Sequence, residues 1–183
     1  MSNFKGDKNC LVAGSTWPED EGILASYINS SNKNIKYVLA PHNIKEKHLE
    51  NLTSSLTKKS ILYSQIGETD LSDYEVLIVD TIGLLTKIYS YADIAYVGGG
   101  FTTGLHNTLE PAVFGIPVVI GPHYEGFKEA QDLVALQGVL PISNVTSLVE
   151  ILNRLWDDPG YATKTGDICK TYVVSKKGAT SDI

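Results

Sequence analysis

Cysteine is scarce in this sequence. Only Cys10 and Cys169 occur, at opposite ends of 183 residues. They form no CxxC pair, so neither a zinc site nor a redox motif is expected, and a reducing compartment is the simple reading. A disulfide between the two is left open by the sequence. Basic residues are in deficit as well. Lysine and arginine number 15 against 21 acidic residues, giving a formal net charge of -6. That balance argues against a nucleic-acid partner, which calls for a basic face. It does not argue against a nucleotide, because local dipoles hold a phosphate on an acidic protein. No run approaches the roughly 18–20 apolar residues of a membrane span. Repeats and low-complexity segments are missing too. The opening MSNFKGDKN is polar and shows no secretory pattern, and the sequence closes on KKGATSDI. Both ends read as cut points, so a longer parent protein is expected.

Several catalytic signatures are also wanting. A P-loop needs Gly-Lys-Ser/Thr, but Gly104 is followed by Leu105 and His106. The dinucleotide fingerprint G-x-G-x-x-G needs glycine where Thr103 stands, and it belongs after the first strand. Nucleotide hydrolysis at a P-loop and NAD chemistry are therefore set aside. There is no G-x-S-x-G for a serine nucleophile, and neither cysteine has a histidine beside it. No Asp-x-Asp motif and no cluster of His and Asp suggests a metal, so neither metal nor cofactor is expected.

What is present is an ordinary globular balance, 43% hydrophobic and 20% charged. It suits one domain over residues 1–183. Short apolar runs alternate with helical patterns. Strands are expected at Cys10–Ala13, Tyr37–Ala40, Ser60–Tyr63, Val76–Asp80, Ile94–Val97, Val118–Ile120 and Val139–Leu140. Helical faces are expected from Ile23, Leu24, Tyr27 and Ile28, then from Ile44, His48, Leu49, Leu52 and Leu56, and then from Leu148, Val149, Leu152, Leu155 and Trp156. His48 reads as a packed residue of its face. Asp157, Asp158 and Pro159 read as a helix stop. Runs such as VLIVD and PVVIG are apolar without alternation, as in strands covered on both faces. The expectation is an α/β fold, a Rossmann-like parallel sheet with helices on both faces. In such sheets ligands sit beyond the carboxyl ends of the strands. The chemistry should lie in the loops Gly14–Pro18, Pro41–Ile44, Thr81–Gly83, Gly98–His106 and Gly121–Phe127.

The most informative of these is GGGFTTGLHNTLEP, Gly98 to Pro111, between a strand and a helix expected to start near Asn107 or Thr108. Consecutive glycines Gly98, Gly99 and Gly100 let backbone approach a ligand closely. The N–H groups of the following helix then suit an anion. His106 and Asn107 have donors for phosphate oxygens. Glu110 has paired acceptors for vicinal hydroxyls of a ribose. The competing reading is that Asn107 or Thr108 caps the helix and Glu110 complements its dipole. In GSTWPEDE, Thr16 and Glu19 have capping-box spacing and Pro18 suits a first turn. Glu19, Asp20 and Glu21 make that entrance acidic, which sends a phosphate to the Gly98 loop. Gly14, Ser15 and Thr16 would line the cleft opposite. GPHYEGF places His123 on the ligand side, and Pro41-His42 has a weaker version of that position.

Taken together, GSTWPEDE, DTIGLL, YADIAYVGGG, HNTLEP and GIPVVIGPH resemble the C-terminal domain of Kdo (3-deoxy-D-manno-octulosonic acid) transferases, from about Leu11 to Gly138 and more faintly to Ala179. The resemblance implies a GT-B fold, two Rossmann-like domains across a cleft, of which this chain would be the C-terminal half. It implies CMP-Kdo as donor and a lipid A precursor as acceptor, with inverting transfer. Gly98–Gly100, His106 and Asn107 would then face the phosphate, Glu110 the ribose, and Pro41, His42 and Ile82 the cytosine. The general base, the acceptor site and any membrane contact would lie in an N-terminal domain outside this chain. A full-length enzyme would work at the cytoplasmic face of the bacterial inner membrane. This sequence departs from the family in having Pro41-His42-Asn43 where Pro-Arg-His is frequent, and Leu84 where an acidic residue is common. Two other readings stay open: half of a UDP-sugar GT-B transferase or epimerase, and a non-catalytic nucleotide-binding module.

Overall fold

A computed structural model of the chain describes residues 1–102 and 104–179. Thr103, which breaks the dinucleotide fingerprint, and the last four residues of the KKGATSDI ending lie outside them. In chain order the elements are α1 (Ser2–Lys5), β1 (Asn9–Thr16), α2 (Pro18–Ser30), β2 (Ile35–Pro41), α3 (Glu46–Ser55), β3 (Ser60–Leu62), β4 (Val76–Ile78), α4 (Leu85–Ile88), β5 (Ile94–Val97), α5 (Leu109–Ala112), β6 (Val118–Ile120), α6 (Lys128–Ala135), β7 (Val139–Pro141), α7 (Val145–Asp157) and α8 (Pro159–Ala179). Among the described residues seven strands form one sheet in the order β3-β4-β2-β1-β5-β6-β7. Every pairing is parallel.

The strands are buried on both faces, which explains their unbroken apolar character. Within β1, Cys10 and Val12 join one core layer while Leu11 and Ala13 join the other. The first layer packs against α6 and α8 through Leu133, Cys169, Tyr172 and Val173. The second packs against α2, α3 and α7 through Leu24, Ile28, Leu49, Leu52, Leu148 and Leu152. The period-2 alternation thus feeds two cores at once. All seven expected strands are found, and the three expected helical faces point inward. His48 is only partly buried, and its ring is 2.9 Å from a Glu21 carboxylate oxygen rather than packed among hydrocarbon.

Other expectations need correction. β1 runs on to Thr16, so Gly14, Ser15 and Thr16 belong to the strand end and not to the loop beyond it. The register with β2 breaks between Gly14 and Thr16. Ser15 there takes φ 53, a left-handed conformation that is costly for a residue with a Cβ. The cap of α2 is Trp17 with Asp20, not Thr16 with Glu19: the Asp20 carboxylate accepts the Trp17 amide at 2.9 Å. α5 is a single turn. Gly115 in a left-handed conformation and Pro117 stop it, so few peptide dipoles align behind Asn107 and Thr108.

α8 was not expected from the sequence. Its inward stripe includes Thr165 and Gly166, small or polar residues where a helical face would show large apolar ones. The reason is contact distance. A Cβ on Gly166 would stand 2.2 Å from the Gly115 carbonyl oxygen. Both cysteines are free and buried, and burial pushes each thiol up to about 12. They are packing residues and form no disulfide. Among the described residues no helix is long and apolar enough to cross a membrane.

Candidate functional site

The strand order reverses at β1. From there the chain builds outward through β2 on one side and β5 on the other. The carboxyl ends of strands flanking such a reversal open a crevice, the usual ligand position of a doubly wound sheet. β1 ends in GST and β5 leads into GGG, so the two glycine-bearing segments meet there.

They meet by direct backbone contact. The Gly98 amide donates to the Gly14 carbonyl at 2.9 Å. A Cβ on Gly98 would lie 2.3 Å from the Ser15 carbonyl oxygen. A Cβ on Gly100 would lie 2.9 Å from Gly121 backbone atoms, and the His123 amide donates to the Gly100 carbonyl at 2.8 Å. A Cβ on Gly14 would lie 2.1 Å from the Tyr89 hydroxyl. All four of Gly14, Gly98, Gly99 and Gly100 are buried. These glycines let three loops stack on one another at the end of the sheet. They set the floor of the crevice.

Asp20 ties this floor together, and the sequence did not single it out as more than an acidic helix entrance. Its side chain is fully buried. One carboxylate oxygen accepts from the Gly99 amide at 3.0 Å and the Trp17 amide at 2.9 Å; the other accepts from the Tyr96 hydroxyl at 2.6 Å. Burial, followed by the Asp20 charge, pushes the Tyr96 phenol far up, so it stays a donor. Glu21 also turns inward, accepting from the Thr16 hydroxyl at 2.9 Å and facing His48. Its burial raises the carboxyl above its ordinary range, while the His48 and Thr16 bonds pull it down. Only Glu19 of the three carboxylates is exposed. The expected acidic barrier at this helix entrance is therefore largely turned into the core, where donors satisfy it. Thr16 is corrected with it. It is fully buried with its hydroxyl spent on Glu21, so its side chain does not line the cleft.

The rim of the crevice is aromatic. Trp17 stacks on His42 with ring centroids 4.5 Å apart and planes 20° apart. His42 in turn lies 4.9 Å from His106. The Trp17 indole N–H donates to His106 Nε2 at 3.2 Å. Burial, and then the neighbouring His42, hold His106 below the usual histidine range. The His42 amide is anchored on the Thr16 carbonyl at 2.9 Å. Beside this rim a cavity of about 320 Å³ is lined by Ser15, Pro41, His42, Thr81, Ile82 and Leu85, among others. Ile82 is 84% exposed at its mouth. A larger cavity of about 750 Å³ lies between α3 and the β3 edge, away from the glycine loops.

The remaining expected residues are more dispersed. Asn107 is exposed, and its side-chain oxygen accepts from the Leu109 amide at 2.9 Å, a turn-capping bond. Glu110 is half-buried and faces the Thr86 hydroxyl at 3.4 Å, on α4. His123 is exposed on the Gly121 loop. Thus Gly14, Ser15, Pro41, His42, Ile82, Gly98, Gly99, Gly100 and His106 converge, with Trp17 and Asp20 as members that sequence reasoning missed. The signal available for Trp17 was its position next to the strand end. For Asp20 beyond its capping position there was none, because Tyr96 and Gly99 lie far along the chain. Among the described residues no three His, Cys, Asp or Glu side chains gather as a metal-binding group.

Comparison with known proteins narrows what this arrangement belongs to. No protein-family model matches the chain. It is 33% identical over 157 residues to a 3-deoxy-D-manno-octulosonic acid transferase of Chlamydophila psittaci, covering 84% of this chain and 36% of that enzyme. The chain thus spans about a third of the length of the curated relatives it matches. Among solved structures, it resembles the C-terminal CMP-Kdo binding domain of WaaA from Acinetobacter baumannii, with a TM-score of 0.79 and 21% identity over 92% of this chain and 90% of that one. Its likeness to Anabaena HepE in complex with UDP-glucose is lower, a TM-score of 0.67 at 12% identity over 97% of this chain and 50% of that one. The fold is that of GT-B glycosyltransferase C-terminal domains. The chain is therefore homologous to the Kdo transferases over the third or so of their length that it spans.

Proposed function

We propose that the chain is the donor-binding domain of a Kdo transferase, with CMP-Kdo as its ligand. The observation carrying this reading is the sequence homology to Kdo transferases, which extends over 84% of this chain. In this reading the base enters the cavity beside Pro41, His42 and Ile82. The ribose hydroxyls reach Glu110, where Thr86 now stands, and the phosphate lies along the rim at His106 and Asn107. Gly98, Gly99 and Gly100 act by shaping the crevice floor, since the first two amides already have partners. His123 flanks the site from the Gly121 loop. The chain's single arginine, Arg154, lies over the Tyr161 ring away from these loops. In this reading the phosphate is met by backbone dipoles and the neutral donors of His106 and Asn107, with no arginine contact, and the reading calls on no metal or cofactor.

Negative charge grows on the CMP phosphate as the bond to the sugar breaks. Fixed donors around it stabilise the transition state more than the ground state. The lipid A precursor, the general base and contact with the inner membrane belong, in this proposal, to parts of a full-length enzyme other than this domain. A UDP-sugar enzyme of the same fold is the competing reading, and it predicts the opposite base preference. Titration of CMP, UMP and UDP into the chain, followed by amide-shift NMR, decides between them. CMP should bind best, with shifts at His42, Ile82 and Gly98–Glu110. Tighter binding of UDP would overturn the CMP-Kdo assignment.

A further inference from the structure

The histidine at the centre of the rim has one ring nitrogen already spoken for. An indole N–H is a donor only. Trp17 directs it at His106 Nε2, so that nitrogen carries a lone pair and no proton. A neutral imidazole has one protonated nitrogen, and here it is Nδ1. A doubly protonated ring would set two N–H groups against each other across 3.2 Å. Trp17 is itself held from two sides, its amide by buried Asp20 and its ring by the stack on His42. Asp20 also holds Gly99, over which the Cδ2 edge of His106 lies, 3.1 Å from where a Gly99 Cβ would be. The indole and the loop that carries the histidine are thus registered by the same carboxylate. Among the described residues nothing is bonded to His106 Nδ1.

We infer that Trp17 is a positioning residue that fixes His106 as the neutral Nδ1–H tautomer, so that His106 offers an anionic ligand oxygen a hydrogen bond from Nδ1. This deepens the nucleotide reading and rests on it only for the identity of the ligand. The ring serves as a fixed donor and neither as a base nor as a permanent cation. The groups facing it agree on balance. Burial and His42 disfavour the charged ring, whereas Asp20 and Glu110 favour it less strongly. Glu129 lines the cavity on its other side.

The test is nitrogen-15 NMR of the histidine rings of the whole 183-residue chain at neutral pH. His106 should show an acceptor-type Nε2 and a protonated Nδ1, with a protonation midpoint below the usual histidine range. An Nε2–H ring, a tautomer mixture or a charged ring would overturn the inference from the unmodified protein alone. Trp17→Phe keeps a ring for His42 to stack on and removes the donor. His106 should then lose its single tautomer, with the Nδ1–H form falling from nearly all to a minority, and its midpoint should rise. A tautomer population unchanged by Trp17→Phe would sink the positioning role. Addition of CMP then separates the two readings. CMP that binds, with shifts elsewhere in the loops, but leaves Nδ1 unmoved overturns the donor role and leaves the nucleotide site standing. CMP that does not bind overturns the nucleotide site, while the tautomer result still decides what Trp17 does.

Discussion

At the scale of single residues, the buried acid is the most consequential feature of the site. Asp20 has three donors from two parts of the chain, the neighbouring Trp17 and, at the end of β5, Tyr96 and Gly99. Hydrogen bonds to a charged group contribute about 1.5–3 kcal/mol each, and a donor orphaned in the interior costs about 1–3 kcal/mol. Asp20→Asn keeps the shape but replaces one acceptor oxygen with a donor. It should destabilise the chain by about 2–4 kcal/mol in urea denaturation. It should also shift the Gly99 amide resonance strongly. A loss under about 0.5 kcal/mol would mean that the carboxylate does not organise the loop. Of the residues that converge at the crevice, His42, His106 and the glycines were legible because they follow apolar strands. Thr16 was misjudged because a residue's direction at a strand end depends on a register break that the sequence does not announce.

At the scale of elements, what matters is where backbones touch. Gly98 and Gly22 illustrate opposite cases. Gly98 lies where a Cβ would come within 2.3 Å of the Ser15 carbonyl oxygen, fixed backbone with no rotamer to yield. Gly98→Ala should cost about 1–3 kcal/mol or more and pull β1 from β5 at the crevice. Gly22 sits on the exposed side of α2 with nothing within 4 Å of its Cβ position. Gly22→Ala should stabilise by about 0.5–1 kcal/mol, because alanine loses less backbone freedom in a helix. Thermal melts of the two variants should therefore move in opposite directions. A Gly98→Ala chain as stable as the parent would show that the loops have slack. The same logic explains why α8 escaped notice. Its close approach at Gly166 demands small residues, and those erase the apolar stripe by which helices are recognised.

At the scale of the whole molecule, the chain has the length of one GT-B half and about a third of its curated relatives. Donor binding and transfer should therefore separate. Incubated with CMP-Kdo and a lipid A precursor, the chain should bind the nucleotide yet release no CMP by transfer above background. Product formed by the chain alone would show that its own loops contain the general base, and would remove the need for a second domain. The parallel sheet and its two covered faces were plain from VLIVD, PVVIG and the alternating helices. Short, doubly buried strands have no other easy composition. The strand order was not legible, since each crossover joins elements by sequence while the reversal at β1 is a property of the assembled sheet.

The sequence by itself determined the fold class, the loops that meet beyond the carboxyl ends of the strands and the homology to Kdo transferases. Hydrophobic periodicity and glycine placement are local properties, written in adjacent residues. Only the tertiary structure decided what those loops do to one another. It turned two of three carboxylates inward and made the glycine run a contact between backbones. It also brought Trp17 to His106 across 89 positions of sequence. Burial and hydrogen-bond partners are set by neighbours in space, and it is those neighbours that convert a capping acid into the organiser of a crevice and a rim histidine into a fixed donor.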